Sequence, residues 1–400
     1  MQNMPPPPSS MQRRRRPNSS QSPISAKSSK KKRAKKTKFW SRAFIVFTVV
    51  AGIASIIGIL PLFGISTVWS VIQHPTPTIT PRPIYTYRGH GSDIVSISWS
   101  PDSKRIASSG FDDTVQIWDA ATGENAVIRT LSAGDLGPRA SGGTVAWSPD
   151  GKYISIATPL ELLILDAVTS NIVQKHIIHS NPFPMDVIQS FWSPDSRRIA
   201  YSSYATVHIW DITSGRDILA FGNPNILGAI SALAWSPDGN VIASAEDNFV
   251  HIWYAANGRS VFTYKSQSNI VGSMVWSRDS QYIASADDQK LNVWNAYDGF
   301  SYNDSNAIRY NFPNLACASE LRIMGWSPNN TYLLYACYGL NESKEMIDSW
   351  NFPAHKLITL KTLTDSDTGL DAAWSPDGKY LAITSGSTVQ VWRVGDLLKD

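Results

Sequence analysis

The sequence has very little cysteine, only two residues in 400. Two thiols are too few for a disulfide scaffold or a four-thiolate zinc site, so the core must be held by packing. Charged residues are also sparse at 17%, whereas 42% of the residues are hydrophobic, which excludes a wholly disordered chain. Tryptophan, with 15 copies, is the residue that is unusually abundant.

The N-terminal part divides into three segments. Residues 1–42 lack aspartate and glutamate and hold 13 lysines and arginines, which predicts a disordered basic tail. Residues 43–72 lack any charged residue, and such a run is typical of a transmembrane helix. A buried core helix and a cleaved signal peptide are the alternatives, but no A-x-A cleavage site follows the run. Residues 73–83, rich in Pro and Thr, are interpreted as a stiff linker.

The basic tail determines the predicted location. Lysine and arginine beside a membrane span stay on the cytoplasmic side, and the first charge after the apolar run is Arg82. We therefore predict a single-pass cell-membrane protein with a cytoplasmic N-terminus and an extracytoplasmic C-terminal domain. The tail also predicts attraction to anionic lipid, and no nucleic-acid partner is expected because aromatic residues are not interleaved with the basic ones.

Residues 84–400 contain a repeat of 41 to 50 residues. Each repeat opens with Trp-Ser-Pro-Asp-Gly or a close variant, beginning at Trp99, Trp147, Trp192, Trp235, Trp276, Trp326 and Trp374. An isoleucine or leucine follows seven residues after each of these tryptophans. A second tryptophan follows 18 or 19 residues after the first in most repeats, while Leu165 replaces it in the second repeat and Trp350 comes later in the sixth. Periods in this range are typical of propellers and solenoids.

Each repeat is predicted to form a small antiparallel sheet. In the first repeat the expected strands are Ile94–Trp99, Arg105–Ser108, Thr114–Trp118 and Ala126–Leu131, separated by turns that contain Pro, Asp and Gly. One such sheet cannot bury both of its faces, so the units must stack around an axis. The last repeat is one strand short, and Ile84–Arg88 supplies a strand that could complete it. The fold class is therefore an all-β, seven-bladed β-propeller over residues 84–400.

Gly89-His90, followed by Trp118-Asp119 and later by Trp210-Asp211, resembles the tryptophan-aspartate (WD) repeat family. The resemblance implies a hydrogen-bonded structural tetrad in the first blade, formed by His90, Ser108, Asp112 and Trp118. The repeated Trp-Ser-Pro-Asp-Gly also resembles the propeller repeats of TolB-like proteins.

No catalytic, cofactor or metal site is predicted. His176 and His179 are three residues apart on an expected strand and therefore point to opposite faces. Acidic pairs such as Asp112-Asp113 lack the dense oxygen ligands of a calcium loop. Cys317 and Cys337 both belong to the sixth repeat and are expected near one rim, where they could form a disulfide or remain two buried thiols.

The WD resemblance implies a non-catalytic scaffold that binds a protein or another ligand. The connections between blades are the most variable part of the repeat, and all of them are expected on one face of the ring. The propeller itself is expected to be monomeric. We expect partner-binding residues there, with these candidates: Arg139, Phe183, Asn225, Asn269 and Phe312. The alternatives are a hydrolase or lyase with acids and histidines clustered in the central channel, and a soluble intracellular WD-repeat scaffold.

Overall fold

The computed structural model describes most of the C-terminal part of the chain. The described residues are 82–124, 126–131, 143–158, 160–178, 189–222, 229–265, 269–287, 290–297, 310–311, 317–339, 345–351, 356–362 and 371–398. The chain divides into two compact units, Met1–Ile79 and Thr80–Asp400, and every described residue belongs to the second. The predicted tail (1–42), the predicted transmembrane helix (43–72) and nearly all of the predicted linker (73–83) lie outside the described residues.

The predicted membrane location needs correction. Crossing a membrane takes about 20 consecutive apolar helical residues. None of the helices in the described ranges reaches the length and apolarity needed for a span, and α1 (Val394–Leu397) has only four residues. The described helices therefore do not support the prediction of a single-pass cell-membrane protein with an extracytoplasmic propeller.

The described strands form seven four-stranded sheets, here called blades. The chain begins with β1 (Tyr85–Tyr87), which belongs to blade seven. Blade one contains β2 (Ile94–Trp99), β3 (Arg105–Gly110), β4 (Thr114–Asp119) and β5 (Val127–Thr130). Blade two contains β6 (Thr144–Trp147), β7 (Tyr153–Ala157), β8 (Glu161–Asp166) and β9 (Ile172–Ile177). Blade three contains β10 (Ser190–Trp192), β11 (Arg198–Ser203), β12 (Thr206–Asp211) and β13 (Arg216–Gly222).

The remaining blades follow the same order. Blade four contains β14 (Ile230–Trp235), β15 (Val241–Glu246), β16 (Phe249–Tyr254) and β17 (Ser260–Lys265). Blade five contains β18 (Ser273–Trp276), β19 (Tyr282–Ala286), β20 (Leu291–Asn295) and β21 (Tyr310–Asn311). Blade six contains β22 (Cys317–Trp326), β23 (Tyr332–Gly339), β24 (Glu345–Asn351) and β25 (Lys356–Thr362). Blade seven contains β26 (Ala372–Trp374), β27 (Tyr380–Ser385), β28 (Thr388–Arg393) and β1.

Strand register explains the constant spacing of the repeat. The first tryptophan pairs with the aliphatic residue seven positions later, as Trp99 does with Ile106. That aliphatic residue then pairs on its other side with the second tryptophan, as Ile106 does with Trp118. The two exceptional repeats keep this register, since Leu165 pairs with Ile154 and the late Trp350 pairs with Leu333. The spacing therefore reflects cross-strand pairs within each blade.

Each Trp-Ser-Pro-Asp-Gly segment forms a tight turn with its own hydrogen bonds. In blade one the Ser100 hydroxyl donates to Asp102 at 2.5 Å, and Asp102 also accepts from the Lys104 N–H at 3.1 Å. The fifth residue of the turn has a positive φ, a conformation that glycine tolerates well. In blade two this residue is Gly151, with a φ of 74°, whereas in blade one it is Ser103, with a φ of 61°. These side-chain bonds compensate for that backbone geometry.

The ring closes as the sequence predicts. Strand β1 pairs antiparallel with β28, with Tyr85 opposite Val391, and this pair completes blade seven. The Trp99 indole N–H donates to the Ala373 carbonyl at 2.9 Å, which joins blade one to blade seven. The corresponding tryptophans Trp192 and Trp276 make the same bond to the preceding blade, each at 3.2 Å. The seven-bladed propeller and its closing strand are confirmed.

Candidate binding faces and central channel

The four residues of the predicted tetrad meet inside blade one. The His90 Nδ1 atom lies 2.9 Å from Asp112 Oδ2, and its Nε2 atom lies 2.8 Å from the Ser108 hydroxyl. The Trp118 indole N–H donates to the same hydroxyl at 3.1 Å. Trp118 is fully buried and stacks on Tyr87 with ring centroids 4.2 Å apart. Because the group is enclosed by packed rings, its geometry suits a structural role rather than contact with a ligand.

Electrostatics keep this group in one protonation state near neutral pH. Burial lowers the pKa of His90 even though Asp112 opposes the shift, so the imidazole is neutral. Burial alone would raise the pKa of Asp112, but hydrogen bonds from Thr114 and the Gly91 N–H bring it below its usual value. A neutral imidazole can then bridge an ionised carboxylate and a hydroxyl.

The other blades vary this arrangement. Blades four and five keep only the serine-to-tryptophan bond, from Trp253 to Ser244 at 2.8 Å and from Trp294 to Ser285 at 3.3 Å. In blade three Tyr201 replaces the serine, and its hydroxyl donates to Asp217 at 2.8 Å. His176 of blade two lies 3.0 Å from that hydroxyl, so this network bridges two blades. These variants also use their polar groups for packing.

The central channel is apolar at the end where the Trp-Ser-Pro-Asp-Gly turns lie. Its cavity of about 420 Å³ is lined by residues of the inner strands and turns of six blades, including Phe191, Val275, Met324 and Ala373. Within the described ranges, Arg278 is the channel lining's one charged residue. The hydrolase or lyase alternative expects clustered acids and histidines, and the described lining contains neither.

The opposite end of the ring carries the connections between blades. Four of the five predicted partner-binding residues, Arg139, Phe183, Asn225 and Phe312, lie outside the described residues. The fifth, Asn269, is exposed just before β18. At the same end, exposed apolar side chains occur at Phe111 and Tyr204, in the turns that join the second and third strands of their blades, and at Ile270. They are 50%, 39% and 59% exposed, respectively.

Sequence reasoning missed Phe111 and Tyr204. Both residues are aromatic and lie at the tip of a predicted hairpin. This position predicts an exposed side chain, because no neighbouring strand covers a hairpin tip. We call the end of the ring that carries Phe111, Tyr204, Asn269 and Ile270 the loop face.

Cys337 is buried in β23. Cys317 is the only other cysteine in the chain and lies in the paired strand β22, opposite Gly339. The Cys317 side chain lies outside what the structure describes, so the bond between the two cysteines stays a prediction.

Comparison with known families agrees with the observed blades. The family model for the WD domain, G-beta repeat, matches residues 81–119 and 358–393. The model for the anaphase-promoting complex subunit 4 WD40 domain matches residues 190–279. Together with the seven four-stranded blades closed into a ring, these matches support a WD-repeat β-propeller. The resemblance to TolB-like repeats stays a prediction.

Curated relatives match only over short stretches. A ribosome biogenesis protein BOP1 homolog from Drosophila virilis is 36% identical over 94 residues, which is 23% of this chain and 11% of that protein. Protein HIRA from Zea mays is 48% identical over 40 residues, 10% of this chain and 4% of that protein. Protein HIR1 from Cryptococcus neoformans is 33% identical over 120 residues, 29% of this chain and 13% of that protein. The chain thus spans about a tenth of the length of the relatives it matches.

The names of these relatives bear on the predicted location. The name of the Drosophila virilis relative refers to ribosome biogenesis and mentions neither a membrane nor a lipid. The comparisons therefore also count against the predicted cell-membrane location, and they do not support the predicted partners, membrane and anionic lipid.

Proposed function

We propose that this chain is a non-catalytic WD-repeat scaffold that binds a protein partner through the loop face. The observation that carries the proposal is the closed ring itself, which holds the connections of seven blades at one end. A rigid ring fixes the position of the described hairpin turns at this end, so their exposed side chains can contact a partner at little cost in conformational entropy. The partner-binding role of Arg139, Phe183, Asn225, Asn269 and Phe312 is part of this proposal.

Exposed apolar residues support the loop face as the binding surface. Phe111, Tyr204 and Ile270 all reach solvent at this end of the ring. Aromatic side chains often contribute most of the binding energy at protein interfaces because they bury a large area for few rotatable bonds. The outer strands also expose apolar residues, such as Ile128, so exposure alone does not select the face. Exposed aromatic residues also occur at the other end of the ring, at Tyr254 and Tyr297, so the selection comes from the variable connections between blades.

The alternative of an intracellular scaffold without a membrane anchor is part of the proposal. Relatives with similar repeats include proteins named for ribosome biogenesis, and such a role belongs inside the cell. Fractionation of lysed cells tests this part. We expect the full-length chain in the supernatant after centrifugation, whereas recovery in the pellet after an alkaline carbonate wash would contradict it.

Mutation of the loop face tests the binding proposal. We expect the variant Phe111→Asp/Ile270→Asp to lose the partners that the wild-type chain retains in an affinity purification, because a charge at a desolvated contact costs about 2 kcal/mol or more. Val168→Asp is the matched control, since Val168 is exposed on the turn after β8, at the other end of the ring. Equal recovery of the same partners by all three proteins would contradict the loop face as the binding surface.

A further inference from the structure

The turn of blade five departs from the other six turns at one position. Six turns carry proline after the serine, whereas blade five carries Arg278. The inner strands and turns meet at the channel, so this position faces the lumen and Arg278 is part of its lining. A single substitution in a sevenfold repeat therefore places one cation in an otherwise uncharged channel lining.

Arg278 has no acidic partner among the residues that the structure describes. No described aspartate or glutamate forms an ion pair with it, although other arginines such as Arg198 are paired. The Arg278 guanidinium is charged at any physiological pH. Arg278 is exposed to solvent and also lines the cavity, so an anion that enters the cavity can pair with its guanidinium.

A structural explanation accounts for only part of this substitution. The Arg278 backbone N–H donates to the Asn330 side chain of blade six at 2.7 Å, and proline could not make that bond. However, any residue other than proline supplies the same N–H. The hydrogen bond therefore explains the loss of proline but not the choice of a positively charged side chain.

We propose that the channel is a binding site for an organic monocarboxylate with an apolar body, held through its carboxylate by Arg278. A guanidinium can donate two parallel hydrogen bonds to a carboxylate. The apolar lining, with Phe191, Val275 and Met324, accommodates the rest of the ligand. The volume of about 420 Å³ is enough for a phenyl-alkyl group.

The charge of the site favours a monoanion over a phosphate monoester. A phosphate monoester carries about 1.5 to 2 negative charges at pH 7, and one arginine would leave part of that charge unpaired in the channel. A carboxylate carries one charge and is fully neutralised. The carboxylate can belong to a small molecule or to the C-terminus of a peptide that ends in an apolar residue.

Tryptophan fluorescence offers a direct measurement, because several indoles, including Trp276 and Trp326, line the channel. Full-length protein is titrated with 3-phenylpropanoate and with its neutral amide. We expect saturable quenching by the acid and a much weaker effect of the amide. A tripeptide ending in phenylalanine, as the free acid and as the amide, then shows whether a peptide terminus can enter.

Two variants separate the roles of charge and space. Arg278→Gln keeps the backbone N–H but removes the charge, and we expect about 10-fold to 100-fold weaker binding of 3-phenylpropanoate. Ala373→Phe keeps Arg278 but fills the channel, and we expect it to abolish binding. Arg197→Gln, which removes an exposed arginine near the turn of blade three, is the control and should bind as the wild type does.

Several results would overturn the proposal. Equal affinity for the acid and the amide would exclude a role for the cation. Unchanged binding by both Arg278→Gln and Ala373→Phe would place the ligand outside the channel. Failure of 3-phenylpropanoate and of the tripeptide acid to quench the wild-type protein at millimolar concentration would also overturn it.

Discussion

At the scale of single residues, the position nine residues after the first tryptophan of a repeat carries different polar side chains in different blades. The hydroxyl of Ser108 accepts from Trp118 and contacts His90, whereas Tyr201 and Tyr335 occupy its position in blades three and six and contact aspartates. Burial raises the pKa of both tyrosines, with the neighbouring aspartates adding to the shift, so each phenol remains a hydrogen-bond donor. The buried Trp118 indole N–H thus has a hydroxyl partner in blade one, whereas the Trp210 indole N–H of blade three has none among the described residues.

Removing the shared hydroxyl should destabilise blade one. We expect Ser108→Ala to lower the free energy of unfolding by about 1 to 3 kcal/mol, because the Trp118 N–H and a ring nitrogen of His90 lose their buried partner. Chemical denaturation followed by tryptophan fluorescence measures the change. Ser260→Ala, at an exposed position of the outer strand β17, is the control and should change stability by less than about 0.5 kcal/mol. Equal stability of the two variants would contradict a structural role for the tetrad.

At the scale of elements, the turns between the first and second strands carry their own stabilisation. The turn aspartates Asp102, Asp150, Asp195, Asp238 and Asp377 all have a pKa below the usual value. For Asp102 the largest cause is the hydrogen bond from Ser100. Blade six carries Asn329 at this position and keeps the bond from Ser327 at 2.7 Å. The turn therefore needs the acceptor oxygen, while the charge is an additional feature.

These carboxylates predict a particular acid sensitivity. Because the folded pKa is lower than the unfolded one, each contributes stability that is complete above about pH 4 and is lost as the pH falls through the folded pKa. We expect Asp102→Asn to lose less stability than the wild type between pH 5 and pH 3, since asparagine keeps the acceptor and does not titrate. Unfolding midpoints across this range measure the difference. Parallel curves for both proteins would show that the folded state does not favour the ionised carboxylate.

The positive-φ position of the turns also connects neighbouring blades. The Ser103 hydroxyl accepts from the Asp377 N–H at 3.0 Å, and the Ser196 hydroxyl accepts from the Asp150 N–H at 2.9 Å. A serine with φ near 60° is less favourable than glycine, but here its hydroxyl makes a bond that glycine could not make. The choice between serine and glycine thus depends on the adjacent blade.

At the scale of the whole molecule, the seam between the first and last strands decides whether the ring is closed. Tyr87 lies in β1, which pairs with β28 of blade seven, yet its ring stacks on Trp118 of blade one. Its hydroxyl donates to Gln116 at 2.6 Å, and burial raises its pKa to about 12, so it remains a donor. This side chain therefore joins the closing strand of blade seven to blade one.

Truncating this residue should weaken the whole ring. We expect Tyr87→Ala to lower the unfolding free energy by about 3 to 5 kcal/mol, because it removes a buried aromatic ring at the seam. Tyr87→Phe keeps the ring and leaves the Gln116 oxygen without its donor, so a smaller loss of about 1 to 3 kcal/mol is expected. Thermal unfolding and limited proteolysis measure both. A similar loss in the two variants would show that packing at the seam is unimportant.

Most of the fold could be predicted from the repeated sequence pattern. The spacing of the tryptophans, the turn residues and the short last repeat were enough to predict the number of blades, the strands of blade one and the closing strand. This succeeded because each blade is one hairpin-connected sheet whose contacts lie within about 40 residues of the chain. Arg278 shows the limit of such reasoning. In the sequence it is one variant turn residue, and its role in the channel requires the inner strands of distant blades to converge.

The sequence by itself determined what depends on local order: the strands, the turns, their register and the need for seven units to stack. Only the tertiary structure decided which residues from different blades meet. Tyr87 meets blade one across the seam and Arg278 lines the channel because the ring brings together segments that are up to about 300 residues apart, as with Trp99 and Ala373. Spacing along a chain specifies neighbours within a blade, whereas neighbours across the ring depend on how the blades close.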